Sequence, residues 1–171
     1  MPLSPFGFTC TASSFYSKEQ SCENVFNTDF RFEWISLGEA TESWINISFN
    51  TQIKIAKLMY TPTSFKKNYL QHFKDVLFEF SDEVRVKVTL RNPDVMTTEY
   101  YNRKMYLKID PPVVSSFLKI QVLSGYDVPM NVFINNGIHD WKKMFGVAYI
   151  QVYGIKTQGT QTLLIEISNT L

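Results

Sequence analysis

The sequence predicts an all-β domain, an antiparallel jelly-roll or β-sandwich of about eight strands. Three observations carry this expectation. Apolar and polar residues alternate with period two in segment after segment, and apolar residues at helical spacing are nearly absent. Breaks that carry Pro, Gly, Asn or Asp separate the alternating runs. At 171 residues the chain has the usual size of one domain, and no repeat, low-complexity tract or linker divides it.

In chain order, "WINISF" sets Ile45, Ile47 and Phe49 on one face and Asn46 and Ser48 on the other, so one side lies on the core. "QIKIAKLMY" and "DVLFEFS" are more fully apolar, as central strands are. "EVRVKVTL" turns Val84, Val86, Val88 and Leu90 one way and Arg85, Lys87 and Thr89 the other. "KMYLKID" aligns Met105, Leu107 and Ile109, and the proline-led run from Pro111 alternates Leu118, Ile120 and Val122 with Lys119 and Gln121. "VAYIQVYG" opposes Ala148, Ile150 and Val152 to Tyr149, Gln151 and Tyr153. Breaks are expected at "TPTS", "RNPD", "IDPP" and "SGYD". Residues 155–171 form a tail, with Leu163, Ile165 and Ile167 alternating, that is either one more strand or a segment pairing with a partner's sheet edge.

Composition narrows the function. Lys and Arg total 17 against 16 Asp and Glu, a net charge of +1, and the arginines stand singly at Arg31, Arg85, Arg91 and Arg103. No basic stripe exists, so nucleic acid is not an expected partner. Hydrophobic residues make up 44% and aromatics 15%, enough for a packed core. The N-terminus shows no secretion signal and no apolar window reaches membrane-spanning length, so a cytoplasmic location is expected, with export by a non-classical route as the alternative. In that setting Cys10 and Cys22 are expected as reduced thiols, with a Cys10–Cys22 bridge as the alternative, and the sequon Asn46-Ile47-Ser48, inside a strand, is read as chance.

Catalysis finds little to work with. His72 and His139 are the only histidines, and no G-x-S-x-G elbow, P-loop, G-x-G-x-x-G or C-x-x-C is present. Ser115 and Ser116 precede a core strand without an elbow, and Glu39 and Glu42 read as solvated. The chain is expected to be non-enzymatic and to need no cofactor.

The segments "TCTASSFYS", "CENVFNTDFRFEWIS", "ESWINISFNTQIKIAKLMY", "VLFEFS", "MYLKIDPPVVSSFLKIQVLS" and "GVAYIQVYG" follow one another from Thr9 to Gly154. In this order they resemble the signatures of the discoidin, or coagulation factor 5/8 type C, domain. The resemblance implies a galactose-binding-like jelly roll over residues 1–154, with Trp34 and Trp44 in its core. It also implies a binding module, since the superfamily includes lectins, phospholipid-binding domains, glycan-binding modules attached to enzymes and intracellular docking domains. Departures from the pattern choose among these. The disulfide that ties the ends of secreted members has no second cysteine here, because "VYGIKT" carries Ile155 and Lys156. The calcium loop is reduced to Asn27-Thr28-Asp29, which leaves Asn27 and Asp29 as weak calcium candidates and a tight turn, with Asp29 capping backbone amides, as the plainer reading.

The hairpin tips that bear exposed hydrophobes in relatives correspond to Phe15, Tyr16 and Lys18 and to Phe65, Lys66, Lys67, Tyr69 and His72. Where relatives have a short connection, this chain inserts the apolar segment 126–146, with Met130, Val132, Phe133, Ile134, Trp141, Met144 and Phe145. A loop so long and so apolar is expected to be an interaction element anchored by Trp141 and Phe145 and rimmed by Lys142 and Lys143, or else a plug for one end of the sandwich. The functional expectation is a non-catalytic module that docks a protein partner through Phe15, Tyr16, Phe65, Lys66, Lys67, Tyr69 and the segment from Phe133 to Phe145, within a larger intracellular assembly. Its rival is a galactose-type lectin or cell-adhesion domain using Trp141 or Tyr69 as a stacking platform with Arg103 or Asp127. Peripheral phospholipid binding is the weaker third.

Overall fold

The computed structural model describes residues 7–27, 29, 32–63, 72–93, 104–126, 144–156 and 164–166. These form the expected antiparallel sandwich, from β1 (Phe8–Ala12), β2 (Trp34–Ile35), β3 (Trp44–Pro62), β4 (Phe73–Glu79), β5 (Arg85–Thr89), β6 (Met105–Gly125), β7 (Gly146–Lys156) and β8 (Leu164–Glu166). Single 3-10 turns at Lys18–Gln20, Cys22–Phe26, Ala40–Glu42 and Ser81–Glu83 connect them. Among the described residues no helix is long and apolar enough to cross a membrane.

Two long strands organise the rest. β3, of 19 residues, pairs with β6, of 21, from Trp44↔Gln121 to Tyr60↔Met105. The register slips between Ser48 and Ile53 and again between Ile55 and Lys57. Such irregularities bend a strand pair and raise its twist, so one ribbon can pass from one layer of the sandwich to the other. The other edge of β3 takes β1 along its first half (Phe8↔Phe49 to Ala12↔Ile45) and β7 along its second (Ile53↔Lys156 to Pro62↔Val147). One layer therefore reads β1-β3-β6-β4-β5; the other is β6-β3-β7, with β2 and β8 each paired to β7.

The break expected at "IDPP" is not one: β6 runs through it. Pro111 and Pro112 fall between Lys108, opposite Lys57, and Val113, opposite Ile55, where the ladder is already interrupted. A proline there forfeits no ladder hydrogen bond. Nearby, Ser115 is fully buried and its hydroxyl accepts the Ser81 amide at 2.8 Å, while Ser81 Oγ accepts the Ser116 amide at 3.0 Å. These serines hold the turn before β5 against the middle of β6.

The core lies between the layers. From the first come Phe8, Ile45, Ile47, Leu118, Ile120, Val76 and Phe78, and from the second Ile55, Leu58, Met105, Ile150 and Val152, all under 9% exposed. The space that remains, lined by Leu58, Tyr60, Phe73, Ile120 and their neighbours, is about 10 Å³. That holds at most one water, so the interior lined by these residues is no ligand chamber. Trp34 is fully buried as expected, and its Nε1 donates to the Ser14 carbonyl at 2.9 Å. β7 departs from its alternation: Tyr149 and Gln151, on the face opposite the core, are only 4% and 7% exposed. Gly154 meets a steric demand, since a Cβ there would run into Ile53 Cγ2 and lie 2.9 Å from the Lys54 carbonyl oxygen.

The cysteines are a correction. Cys10, on β1, and Cys22, in the 3-10 turn Cys22–Phe26, have Cα atoms 5.7 Å apart and form a disulfide instead of two thiols. The expectation of reduced thiols rested on compartment alone. It had no view of the turn that returns residue 22 beneath β1, where Val25 and Phe26 are also buried.

Replacing Trp34 with Ala should cost about 3–5 kcal/mol in a denaturant titration, since it empties the largest fully buried side-chain position. A thiol-reactive chromophore should find no reactive cysteine before reduction and two after it, and reduction should lower stability by about 3 kcal/mol by opening the Cys10–Cys22 loop. A third outcome concerns acid. Asp75 on β4 accepts hydroxyl bonds from Thr89 on β5, at 2.6 Å, and Ser124 on β6, at 2.7 Å. These bonds, Thr89 first, hold its carboxyl below the ordinary 3.8, aided by Lys87 and Lys74 against partial desolvation. A folded-state pKa below the unfolded one gives stability that is present above pH 3.8 and lost as pH falls through the lowered value. Asp75→Asn should therefore flatten the acid limb of a stability–pH curve below about pH 4.

Candidate functional site

The alternation that buries Ile45, Ile47 and Phe49 turns Trp44, Asn46 and Ser48 outward, and all three are half-buried. Trp44 is thus not a core residue, as expected above, but part of the outer face of the first layer. Register sets its neighbours. Thr11 on β1 lies opposite Asn46, which lies opposite Lys119 on β6; Lys119 lies opposite Glu79 on β4, and Glu79 opposite Arg85 on β5. Five strands thereby carry one row of side chains across the sheet.

On the Trp44 side this row opens into a shallow trough of about 550 Å³ lined by Thr11, Trp44, Asn46, Ser48, Phe117 and Lys119, with Phe49 and Ser116 completing it. Asn46 Nδ2 donates to Ser48 Oγ at 3.2 Å, which orients the amide along the strand. The Lys119 ammonium lies 5.6 Å from the Trp44 ring centroid and 3.1 Å from Glu79, whose other oxygen meets Arg85 at 3.3 Å. An aromatic ring flanked by an amide, hydroxyls and one ammonium can stack on the apolar face of a ligand and hydrogen-bond its polar rim. The trough lining contains no acid, histidine or thiol.

The loop residues singled out in the sequence fare differently. Phe15 is 53% exposed and Leu37 50%, and the Leu37 amide donates to Ser14 Oγ at 2.8 Å. Tyr16 instead folds back on Ile35 and Met144, its amide donating to the Ile35 carbonyl at 2.8 Å. Phe145 is 1% exposed, packs its ring 5.6 Å from that of Phe73, and donates its amide to Ser36 Oγ at 3.0 Å. It plugs the sandwich and presents no side chain to a partner. Phe65, Lys66, Lys67, Tyr69, Phe133, Trp141, Lys142 and Lys143 lie outside the described residues, as do Arg103 and Asp127. Of the weak calcium candidates, Asn27 has its Oδ1 engaged by the Asp29 amide at 2.9 Å. Asn27 thus caps the turn through its side chain. Among the described residues no three His, Cys, Asp or Glu side chains gather as metal ligands would.

A signal for the trough was present in the sequence. In "WINISF" the indole is in phase with the polar residues, two positions from Asn46 and four from Ser48. The resemblance, which implied packing, overrode the period.

No family model matches the sequence, and no curated protein does. Solved structures match the fold. One is the family 32 carbohydrate-binding module of Clostridium perfringens NanJ in complex with galactose, 14% identical, with 85% of this chain and 92% of that one aligned at a TM-score of 0.58. Another is an F5/8 type C domain from Bacteroides fragilis, 16% identical, covering 85% of this chain and 89% of that one at 0.61. A third is the mycobacterial arabinofuranosyltransferase AftD, 18% identical at 0.64, where 95% of this chain spans 11% of the other. The chain thus has the galactose-binding-like fold of the discoidin domains.

Proposed function

We propose that this chain is a non-catalytic carbohydrate-binding module whose ligand lies in the trough on the outer face of the first layer. The single observation that carries the reading is Trp44, a half-exposed indole on a rigid central strand with the Asn46 amide and the Ser48 and Thr11 hydroxyls beside it. A pyranose has an apolar face for such a ring and a hydroxyl rim for such groups. Support also comes from the fold neighbours, two of which are carbohydrate-binding modules in complex with galactose or a GalNAc-galactose disaccharide. The Cys10–Cys22 disulfide favours work in an oxidising compartment, against the cytoplasmic expectation.

A second reading, docking of a protein partner, draws on Phe15 and Leu37, both exposed and in the loops on either side of β2. A glycan array with wild type beside Trp44→Ala separates the two. Carbohydrate binding by the wild type, reduced at least about tenfold in a variant that melts within a few degrees of it, supports the trough. Binding that survives Trp44→Ala but is lost in Phe15→Ala with Leu37→Ala moves the site to those loops. An array without any bound glycan removes the carbohydrate reading.

A further inference from the structure

The trough has a charge as well as a shape. Among its lining residues only Lys119 is ionised. Its counter-ion, Glu79, stands on the far side from Trp44 and is shared with Arg85, so one carboxylate faces two cations, at 3.1 and 3.3 Å. The row Thr11–Asn46–Lys119–Glu79–Arg85 therefore keeps one uncompensated positive charge. The Glu79 side chain is 18% exposed and that of Lys119 30%, so the pair is partly withdrawn from water, where screening is weaker than at an open surface. The ammonium lies over the Trp44 ring, 5.6 Å from its centroid, and against the Glu79 carboxylate, so it borders whatever stacks on the indole.

We propose that the trough selects acidic glycans, with an anionic group on the sugar ring stacked against Trp44 taken by Lys119. This rests on the trough being the carbohydrate site. Glu79 holds the ammonium in place when the trough is empty, and Arg85 keeps Glu79 partnered when Lys119 turns to the ligand. A neutral sugar offers the ammonium only a hydroxyl to donate to, whereas a carboxylate or sulfate adds opposite charge to that hydrogen bond.

The test uses the whole chain, isothermal titration, and three probes: a hexameric oligogalacturonate, its fully methyl-esterified counterpart, and a sulfated, heparin-derived hexasaccharide. Acid and ester differ in charge and little else. The wild type should bind the acid about tenfold more tightly than the ester at low salt, and the advantage should shrink toward 0.5 M salt. Lys119→Gln should erase that preference, bringing acid and ester to about equal affinity. Glu79→Gln should raise affinity for the acid severalfold, because it frees the ammonium, an effect of opposite sign that loss of folding cannot mimic. Tight binding of the sulfated probe alone would keep the anionic selectivity and assign the charge to sulfate. Equal binding of acid and ester, or a preference untouched by Lys119→Gln, would overturn the inference and leave a neutral-glycan module standing. Failure of every probe, together with an empty array, would overturn the module reading itself.

Discussion

The hydrogen-bonded ribbon of β3 and β6 is the constraint on which the rest of the molecule depends. Each strand serves both layers, and the passage from one to the other is made by register slips near the middle of the ribbon. Every other described strand except β2, β5 and β8 pairs directly with one of these two, and those three attach one strand further out. Had the ribbon been straight, the faces bearing Ile47 and Leu58 would not meet, and the core would be exposed on a single sheet. Bulges, Gly154 at the close approach to Ile53, and the buried Ser115 that receives the Ser81 amide are the local devices that make the bend possible.

The same ribbon makes the candidate site. A strand cannot bury one set of side chains without turning the alternate set outward, so the packing of Ile45, Ile47 and Phe49 dictates where Trp44, Asn46 and Ser48 stand. A platform built this way is held by ladders on both edges, to β1 and to β6. Its side chains need little further ordering when a ligand arrives, which lowers the entropic cost that weakens loop-borne sites.

Much of the fold was legible because alternation records burial directly: the strands around Ile45, Val76, Met105, Leu118 and Ile150 lie where period two puts them. What failed has physical reasons. "IDPP" reads as a turn because proline lacks an amide hydrogen, yet a bulge needs no such hydrogen, and only the register of the neighbouring strand shows where the bulge is. Tyr149 and Gln151 look solvated in sequence because alternation assumes one wet face, and residues 146–152 of β7 have none. The disulfide required knowing that the turn at Cys22–Phe26 returns to β1. Trp44 is expected in the core because the resemblance implies packing there, although its phase sets it with Asn46 and Ser48. Lys119 drew no notice as one of many alternating lysines, since its meaning lies in Glu79 and Arg85, each reached across a different strand pair.

On the proposed carbohydrate reading, placement of the site on the sheet face also bears on how the trough would discriminate. An indole alone offers a similar surface to any pyranose, so it supplies affinity with little selectivity. Selectivity has to come from groups whose satisfaction depends on the ligand, and a lysine that already has a partner is such a group. Lys119 and Arg85 share one acid, so their row carries one unit of positive charge beyond what Glu79 balances. A wholly balanced row would have favoured neutral sugars, and a row of unpaired lysines would have bound polyanions indiscriminately. One carboxylate between two cations lies between these extremes, holding its charge in a fixed place beside a ring that reads shape.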